Sequence, residues 1–466
     1  MPASHPIECS TLSLPALTRQ NMKPVIPTHP AAILALAFLG TIVIGTGLLM
    51  LPWASASGQS APWLTALFTA TSTVCVTGLV VVDTGTYWSP AGQVMVMALF
   101  QLGGFGMMTS ATLMGLIIGG SLRLRTRLLL QAETHALSLG DVRSVAKVVL
   151  VVTLVCETMV ALWLAARFAL KGDMGWGQAL WHGAFHSVSA FNNAGFSTWP
   201  DSVMRYATDA WVLAPLMLAI VVGGLGFPVI SELWANRHKH RARWSMHTAL
   251  TVWGSLGLIV VGTALLWLVE YDNPKTLGAL TPSEQGLVAL FTSVSARTAG
   301  FNAVDIGALQ LESLVLHYVF MFIGGGSAGT AGGIKVTTTF VILLIVWNEI
   351  RGYRDVEFRG RRMSNAVQRQ ALSILVLSAV TVTVGLLIII PLAPMPLEKL
   401  LFEVISAFAT VGLSTGITAD LPAPAQGVII GLMYVGRVGV VTLALALAIN
   451  QKPRAFRYPE EKPIVG

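Results

Sequence analysis

The chain has 466 residues; 54% are hydrophobic, 11% are charged, the formal net charge is +7, and the mean hydropathy is +0.71. This balance excludes a soluble globular domain and points to an integral membrane protein. The three cysteines, Cys9, Cys75 and Cys156, are too few and too scattered for a disulfide framework or a metal cluster, and neither a zinc spacing nor a nucleophile elbow is present.

Residues 1–30 lack the apolar core of a signal peptide and are expected to stay on the protein as a polar tail. Eight apolar runs follow, each sufficient for the roughly 20 residues a transmembrane helix needs: Ala31 to Trp53, Val94 to Ile118, Val145 to Leu170, Trp211 to Leu233, Leu250 to Val269, Leu314 to Trp347, Ala371 to Leu392 and Gly427 to Ile449. Basic residues collect in alternate connections, at 121–143, 236–247 and 349–369, and in the tail 451–466. The other connections carry Asp83, Asp173, Asp201, Asp305, Glu312 and Asp420. That asymmetry places the basic loops and both termini in the cytoplasm, and it accounts for the positive charge without nucleic acid.

Each acidic-side connection holds a variant of one stretch: FTATSTVCVTGL (68–79), FHSVSAFNNAGF (185–196), LFTSVSARTAGF (290–301) and FEVISAFATVGL (402–413). Phe68, Phe185 and Phe402 fall in register, as do Ser72, Ser189 and Ser406, and all four stretches share the glycines Gly78, Gly195, Gly300 and Gly412. The chain therefore reads as four copies of one unit, at 31–120, 144–235, 248–348 and 370–450. The apolar segments before the glycines (Pro62 to Thr73, Trp176 to Ala190, Pro282 to Ser295, Pro396 to Ala407) are too short to span a bilayer and suit re-entrant helices. Non-helical backbone at membrane depth is tolerated only where it is buried in protein or lines water. Four such stretches around an axis would aim carbonyl oxygens at one line and replace the hydration shell of a monovalent cation. The expected filter is Cys75, Val76, Thr77 and Gly78; Asn192, Asn193, Ala194 and Gly195; Arg297, Thr298, Ala299 and Gly300; and Ala409, Thr410, Val411 and Gly412. A lone glycine in such a place would be a helix cap, but four at matching positions argue for the filter. The C-terminal ends of the short helices add partial negative charge that favours a cation.

These stretches resemble the filter segments of the Trk/Ktr/HKT superfamily of potassium transporters, over about residues 31–450, and are most similar to those of the Ktr-type membrane subunit. Trk-type relatives generally carry an extra pair of spans, so eight spans favour the Ktr branch. The resemblance implies an all-α fold of four M1-P-M2 repeats, with eight transmembrane helices and four re-entrant pore helices in pseudo-fourfold arrangement around one pore. It also implies potassium preference, since Gly78 stands where some sodium-passing plant relatives have serine.

The sixth span is longer than one crossing needs, and its middle reads GGGSAGTAGGIKVTT. So many glycines argue against a regular helix, unless the segment is a glycine-rich helix packed tightly on a neighbour. GTAGGIKV is not a Walker A loop, because Ile334 separates glycine from lysine and no hydroxyl follows. In the resembling family this segment is an intramembrane gate below the filter. The expected gate residues are Gly324, Gly325, Gly326, Ser327, Ala328, Gly329, Thr330, Ala331, Gly332 and Gly333, with Lys335 and Arg437. Arg437 lies inside the eighth span and must face a cavity or a partner. It is expected to bond carbonyls or hydroxyls around Ser327 to Thr330, either repelling leaking cations or pinning helices together. Glu157 reads as an interhelical hydrogen-bonding group or a coupling-ion ligand, His182 and His186 as structural, and Asp83 and Asp305 as cation attractors or caps.

The resulting expectation is a potassium-selective translocating subunit that conducts passively, with no enzymatic activity and no cofactor in the chain. Potassium would be the substrate and sodium an activating ion. The alternative is a sodium- or proton-coupled symporter, which would need a second, carboxylate-lined ion site. The resemblance further implies a homodimer and a cytosolic ring of RCK-type nucleotide-binding regulatory subunits, in the cell membrane.

Overall fold

The computed structural model describes residues 30–120, 142–172, 174–237, 244–353 and 355–440. Both tails, most of the loop 121–143, part of the loop 236–247 and the end of the eighth span lie outside the described residues.

Each repeat is an outer helix, a short helix and an inner helix. The first contains α1 (Pro30–Leu49), α2 (Trp63–Val74) and α3 (Pro90–Gly120), and the second α4 (Val142–Lys171), α5 (Trp176–Phe191), α6 (Ala210–Leu225) and α7 (Phe227–Ala235). The third contains α8 (Met246–Glu270), α9 (Pro282–Ser295), α10 (Leu311–Phe322) and α11 (Val336–Ile350), and the fourth α12 (Asn365–Ile389), α13 (Leu397–Phe408) and α14 (Ala423–Val438). A hairpin of β1 (Glu357–Phe358) and β2 (Arg361–Arg362) joins α11 to α12.

The packing is inverted relative to a soluble protein. Long apolar side chains on the outer helices, such as Val260, Val376, Val380 and Leu387, face outward, as lipid exposure requires, while the short helices occupy the centre. Phe68, Phe185, Phe291 and Phe402 are completely buried, one from each short helix. This adds Phe291 to the three phenylalanines that align in the sequence. The third stretch is one residue shorter between phenylalanine and glycine, so Ser295, not Val294, matches Ser72, Ser189 and Ser406.

The short helices begin where the chain can enter them cheaply. Pro62 and Pro396 precede α2 and α13, and a capping box of Thr281 and Glu284 with Pro282 opens α9. Their ends match the sequence expectation to within one residue.

Three spans depart from a simple crossing; in the eighth, expected from Gly427 to Ile449, α14 ends at Val438 before Gly439 at φ 89°. The sequence suggests one continuous span from Trp211 to Leu233, but α6 stops at Leu225 and the chain turns by 96° into α7. Gly226, at φ 89°, forms the corner, and Pro228 sits in the first turn of the next helix. The sixth span is interrupted between Phe322 and Val336, so the glycine-rich segment is a loop and not a packed helix. Among the described residues, four helices are uninterrupted and apolar over a full crossing: Pro90–Met108, Lys147–Lys171, Met246–Glu270 and Asn365–Ile389.

Candidate functional site

The four glycine-bearing stretches meet at the centre. At the end of α2, Thr77 N–H donates to the Ser72 carbonyl at 2.7 Å and Val76 N–H to the Thr73 carbonyl at 3.0 Å. This is a Schellman ending, which places the residue after the cap in the left-handed region. The same pair of bonds closes α5, through Ala194 and Asn193, and α13, through Val411 and Thr410. In the third repeat the closing bond runs from Ala299 N–H to the Ser295 carbonyl at 2.9 Å.

The left-handed residues are Val76 (φ 56°), Asn193 (φ 56°), Thr298 (φ 73°) and Thr410 (φ 50°). None is glycine, and valine and threonine resist this conformation because of their branched Cβ. Two residues later come Gly78 (φ 94°), Gly195 (φ 70°), Gly300 (φ 77°) and Gly412 (φ 93°). Alternating backbone of opposite hand turns successive carbonyls toward the same side of the strand, so every stretch can present a row of oxygens. Strain of order 1–3 kcal/mol at each non-glycine position persists only because the surroundings hold it. Ser72 Oγ accepts from Gly78 N–H at 3.1 Å and Ser406 Oγ from Gly412 N–H at 3.1 Å. Ser189 Oγ and Ser295 Oγ instead donate to the carbonyls of Phe196 and Phe301.

The glycines close a ring in chain order. A Cβ on Gly78 would lie 2.5 Å from the Ala194 carbonyl oxygen and 3.1 Å from Gly195 Cα, and one on Gly195 would lie 2.9 Å from Gly300 Cα. A Cβ on Gly300 would lie 2.5 Å from the Val411 oxygen and 3.3 Å from Gly412 Cα, and one on Gly412 would meet the Thr77 oxygen and lie 3.0 Å from Gly78 Cα. The backbones thus approach too closely for side chains. A cavity of about 300 Å³ opens on one side of this ring, lined by Gly78, Gly195, Gly412, Asn302, Ser414 and Thr418 among others.

On the other side lies the loop between α10 and α11. Its ends are pinned together: Gly324 N–H donates to the Ile334 carbonyl at 2.8 Å and Ile334 N–H to the Phe322 carbonyl at 3.0 Å. Its middle is held by the broken helix of the second repeat, since Gly326 N–H donates to Gly224 at 2.8 Å and Thr330 N–H to Gly223 at 3.2 Å. Thr330 Oγ1 donates to the Phe191 carbonyl at 3.3 Å, at the end of α5, and Gly332 lies against Ala409 and Thr410. The loop therefore spans from the second to the fourth repeat beneath the ring. Ser327 Oγ and Thr337 Oγ1 are 3.1 Å apart, tying the loop to α11.

Three cationic side chains hold loop carbonyls. Arg437 is 2% exposed; its Nη1 donates to the Thr330 carbonyl at 2.6 Å and its Nη2 to the Gly103 carbonyl of α3 at 3.2 Å. Lys335 Nζ donates to Ala331 at 2.6 Å. Arg297 turns away from the ring, donating to the Ser255 carbonyl and hydroxyl of α8, both at 3.1 Å, and to the Gly324 carbonyl at 3.4 Å.

The remaining candidates separate by their contacts. Glu157 accepts from Gln101 at 3.3 Å and from Asn192 Nδ2 at 3.1 Å, which fixes the Asn192 side chain behind the second stretch. Asp83 caps a turn through Thr86 N–H at 2.8 Å, and Asp305 accepts from Gly307 N–H at 2.9 Å. His186 faces Ser197 Oγ at 2.9 Å and stacks on Trp199. The sequence reading passed over Glu403, the fourth-repeat counterpart of His186. It is fully buried and accepts from Ser414 Oγ at 2.5 Å, Thr415 N–H at 3.1 Å and Thr418 Oγ1 at 2.8 Å, anchoring the outer loop of the fourth repeat. The clue available in the sequence is a carboxylate in the middle of an otherwise apolar short helix.

A second internal repeat, also unread in the sequence, recurs in the inner segment of each unit: LGGFG (102–106), VGGLG (222–226), IGGGS (323–327, in the loop after α10) and VGRVG (435–439). Its first glycine lets the inner helix touch the end of a short helix, as Gly103 does at Val74, Gly223 at Phe191 and Gly436 at Phe408. Arg437 occupies the position of the second glycine.

A family model described as TrkH, cation transport protein, matches residues 8–458. The chain belongs to this family. Among its relatives, the Ktr system potassium uptake proteins B of Vibrio alginolyticus and Bacillus subtilis are each 38% identical, covering 93% and 94% of this chain and 94% and 97% of theirs. The potassium/sodium uptake protein NtpJ of Enterococcus hirae is 33% identical over 94% of this chain and 97% of its own. The crystal structure of the potassium transporter TrkH from Vibrio parahaemolyticus shares the fold with a TM-score of 0.71 at 19% identity, covering 92% of this chain and 86% of that one. This chain is built on the M1-P-M2 repeat architecture, and it is a multi-pass membrane protein of a transporter family.

Proposed function

We propose that this chain is the potassium-translocating membrane subunit of a Ktr-type uptake system. The observation that carries the reading is the ring of four left-handed glycines, each against the next in chain order, with a second left-handed residue two positions before every one. Rows of carbonyls from four such stretches suit a dehydrated monovalent cation. The buried hydroxyls of Thr77, Thr298 and Thr410, which have no hydrogen-bond partner, supply further oxygen in the same segments. The relatives named as potassium uptake proteins support potassium as the substrate.

Ions collect in the outer cavity, shed water into the ring and meet the 324–333 loop, which obstructs the path until it moves. Arg437 holds that loop through Thr330 and places positive charge beneath the ring. Conduction follows the electrochemical gradient without enzymatic chemistry, the termini lie in the cytoplasm, and the protein resides in the cell membrane. Regulation comes from a cytosolic ring of RCK-type nucleotide-binding subunits acting on a homodimer, with the basic loops as docking sites and sodium as an activating ion. The test is potassium flux in liposomes with the purified chain, with and without the cytosolic partner. A flux that reverses with voltage alone supports the reading; a flux that requires a sodium or proton gradient makes the chain a symporter instead.

A further inference from the structure

On the face opposite the outer cavity, a pocket of about 510 Å³ lies among α8, α11, α12 and the β1–β2 hairpin. Its walls have two characters. Leu250, Val341 and Ile374 form a hydrocarbon side, and His247, Arg362 and Ser364 form a polar rim. The pocket has a solid floor, because Val356 and Met363, which flank the hairpin, are buried against Leu250, Val341 and Ala371.

Its depth in the membrane is marked. Trp347 and Tyr353, at the end of α11, are more than half exposed, and Arg351 stacks over the Trp347 ring at 4.5 Å. Such a pairing of exposed aromatic and cation belongs at the headgroup level. The rim carries Arg362, whose Nε pairs with Asp355 at 2.9 Å, and three further exposed arginines, Arg359, Arg361 and Arg369, lie on the same hairpin and on α12. An apolar cleft with a cationic rim at headgroup depth matches an amphiphile with a negative head.

We propose that this pocket binds an anionic phospholipid of the inner leaflet, with its phosphate at Arg362, Ser364 and His247 and an acyl chain along Leu250, Val341 and Ile374. The site is coupled to the loop beneath the glycine ring. Thr337 lines the pocket and meets Ser327 of that loop, and Thr338, Gln370 and Ile374 also line the adjoining cavity that contains Lys335 and Arg437. A lipid seated here braces α11 and so the loop it carries. The inference goes beyond the proposed function and shares with it the assignment of this face to the cytoplasm and of the loop to the ion path.

The test has a binding arm and a flux arm. In the first, the detergent-purified chain is titrated with phosphatidylglycerol and with phosphatidylcholine, and bound lipid is read by native mass spectrometry. Phosphatidylglycerol should bind in preference. Arg362→Gln, at an exposed position, should weaken that preference by about fivefold, the worth of one basic residue at a membrane surface. Val367→Trp, which fills the mouth of the pocket, should abolish binding of either lipid there. Equal binding of the two lipids, or unchanged binding in Val367→Trp, overturns the site. Displacement of the lipid by millimolar inorganic phosphate would mean a free-phosphate site and overturns the lipid assignment. In the second arm, basal potassium flux should change with the phosphatidylglycerol content of the vesicles in the wild type and not in Val367→Trp. Lipid-independent flux in the wild type overturns the coupling. The binding arm needs no ion flux, so its outcome stands even if the chain fails to conduct potassium.

Discussion

Replacing Gly78 with serine places a side chain where the ring has no room for one. The new Cβ would lie 2.5 Å from the Ala194 carbonyl oxygen and 3.1 Å from Gly195 Cα, on a backbone at φ 94°. Both neighbours are main chain, so neither can swing aside as a flexible side chain would; the first and second stretches must separate, or Gly78 must rotate. A non-glycine residue in such a conformation costs about 1–3 kcal/mol. If that cost falls on the potassium-loaded ring alone, the preference over sodium drops by about 5- to 150-fold, since about 1.4 kcal/mol is a factor of ten. The assay is paired flux of potassium and sodium into liposomes loaded with Gly78→Ser, with thermal unfolding to verify that the variant is folded. A folded variant with the wild-type ion ratio would refute the assignment of these glycines to the ion path.

Arg437→Gln removes charge-assisted bonds to Thr330 and Gly103, each worth about 1.5–3 kcal/mol, and should raise basal flux about tenfold or more without the cytosolic partner. Unchanged flux in liposomes would show that Arg437 only pins helices. Shortening residues 324–333 should raise basal flux as well, and a folded deletion with wild-type or lower flux would remove the gate assignment. Glu403→Ala strands the donors of Ser414, Thr415 and Thr418, lowering stability by about 1–3 kcal/mol and reducing ion discrimination. Glu403→Gln keeps the shape and one acceptor and should restore part of both, as read by thermal unfolding and the potassium-to-sodium flux ratio.

The short helices were legible in the sequence because two strong signals coincide there: an apolar run too short for a bilayer, and a glycine at a fixed distance beyond it. The interruption of the sixth span was legible from glycine density between Gly324 and Gly333. The bend at Gly226 was not, because glycines with a proline two residues on are tolerated inside membrane helices, and only its contacts with Ser327, Ala328 and Gly329 show why the helix stops there. The left-handed Val76, Asn193, Thr298 and Thr410 were equally hidden. Propensity disfavours them, and only the closing bonds of each short helix impose the conformation. The outward turn of Arg297 depends on Ser255 in another helix, a partner that no local pattern announces.

The ring closes through four segments of one polypeptide, so no two of its quarters need be alike. In a channel assembled from identical subunits every substitution appears four times, and the ion's surroundings change in steps of four. Here a single codon alters one quarter of the ring. Among the described residues, the third quarter carries the loop beneath the ring, the fourth sets an arginine where its counterparts have glycine, and the second and fourth brace their outer loops with a histidine and a glutamate. Covalent fusion of the quarters therefore lets each side of the ring, and the loop beneath it, be adjusted separately by evolution or by design.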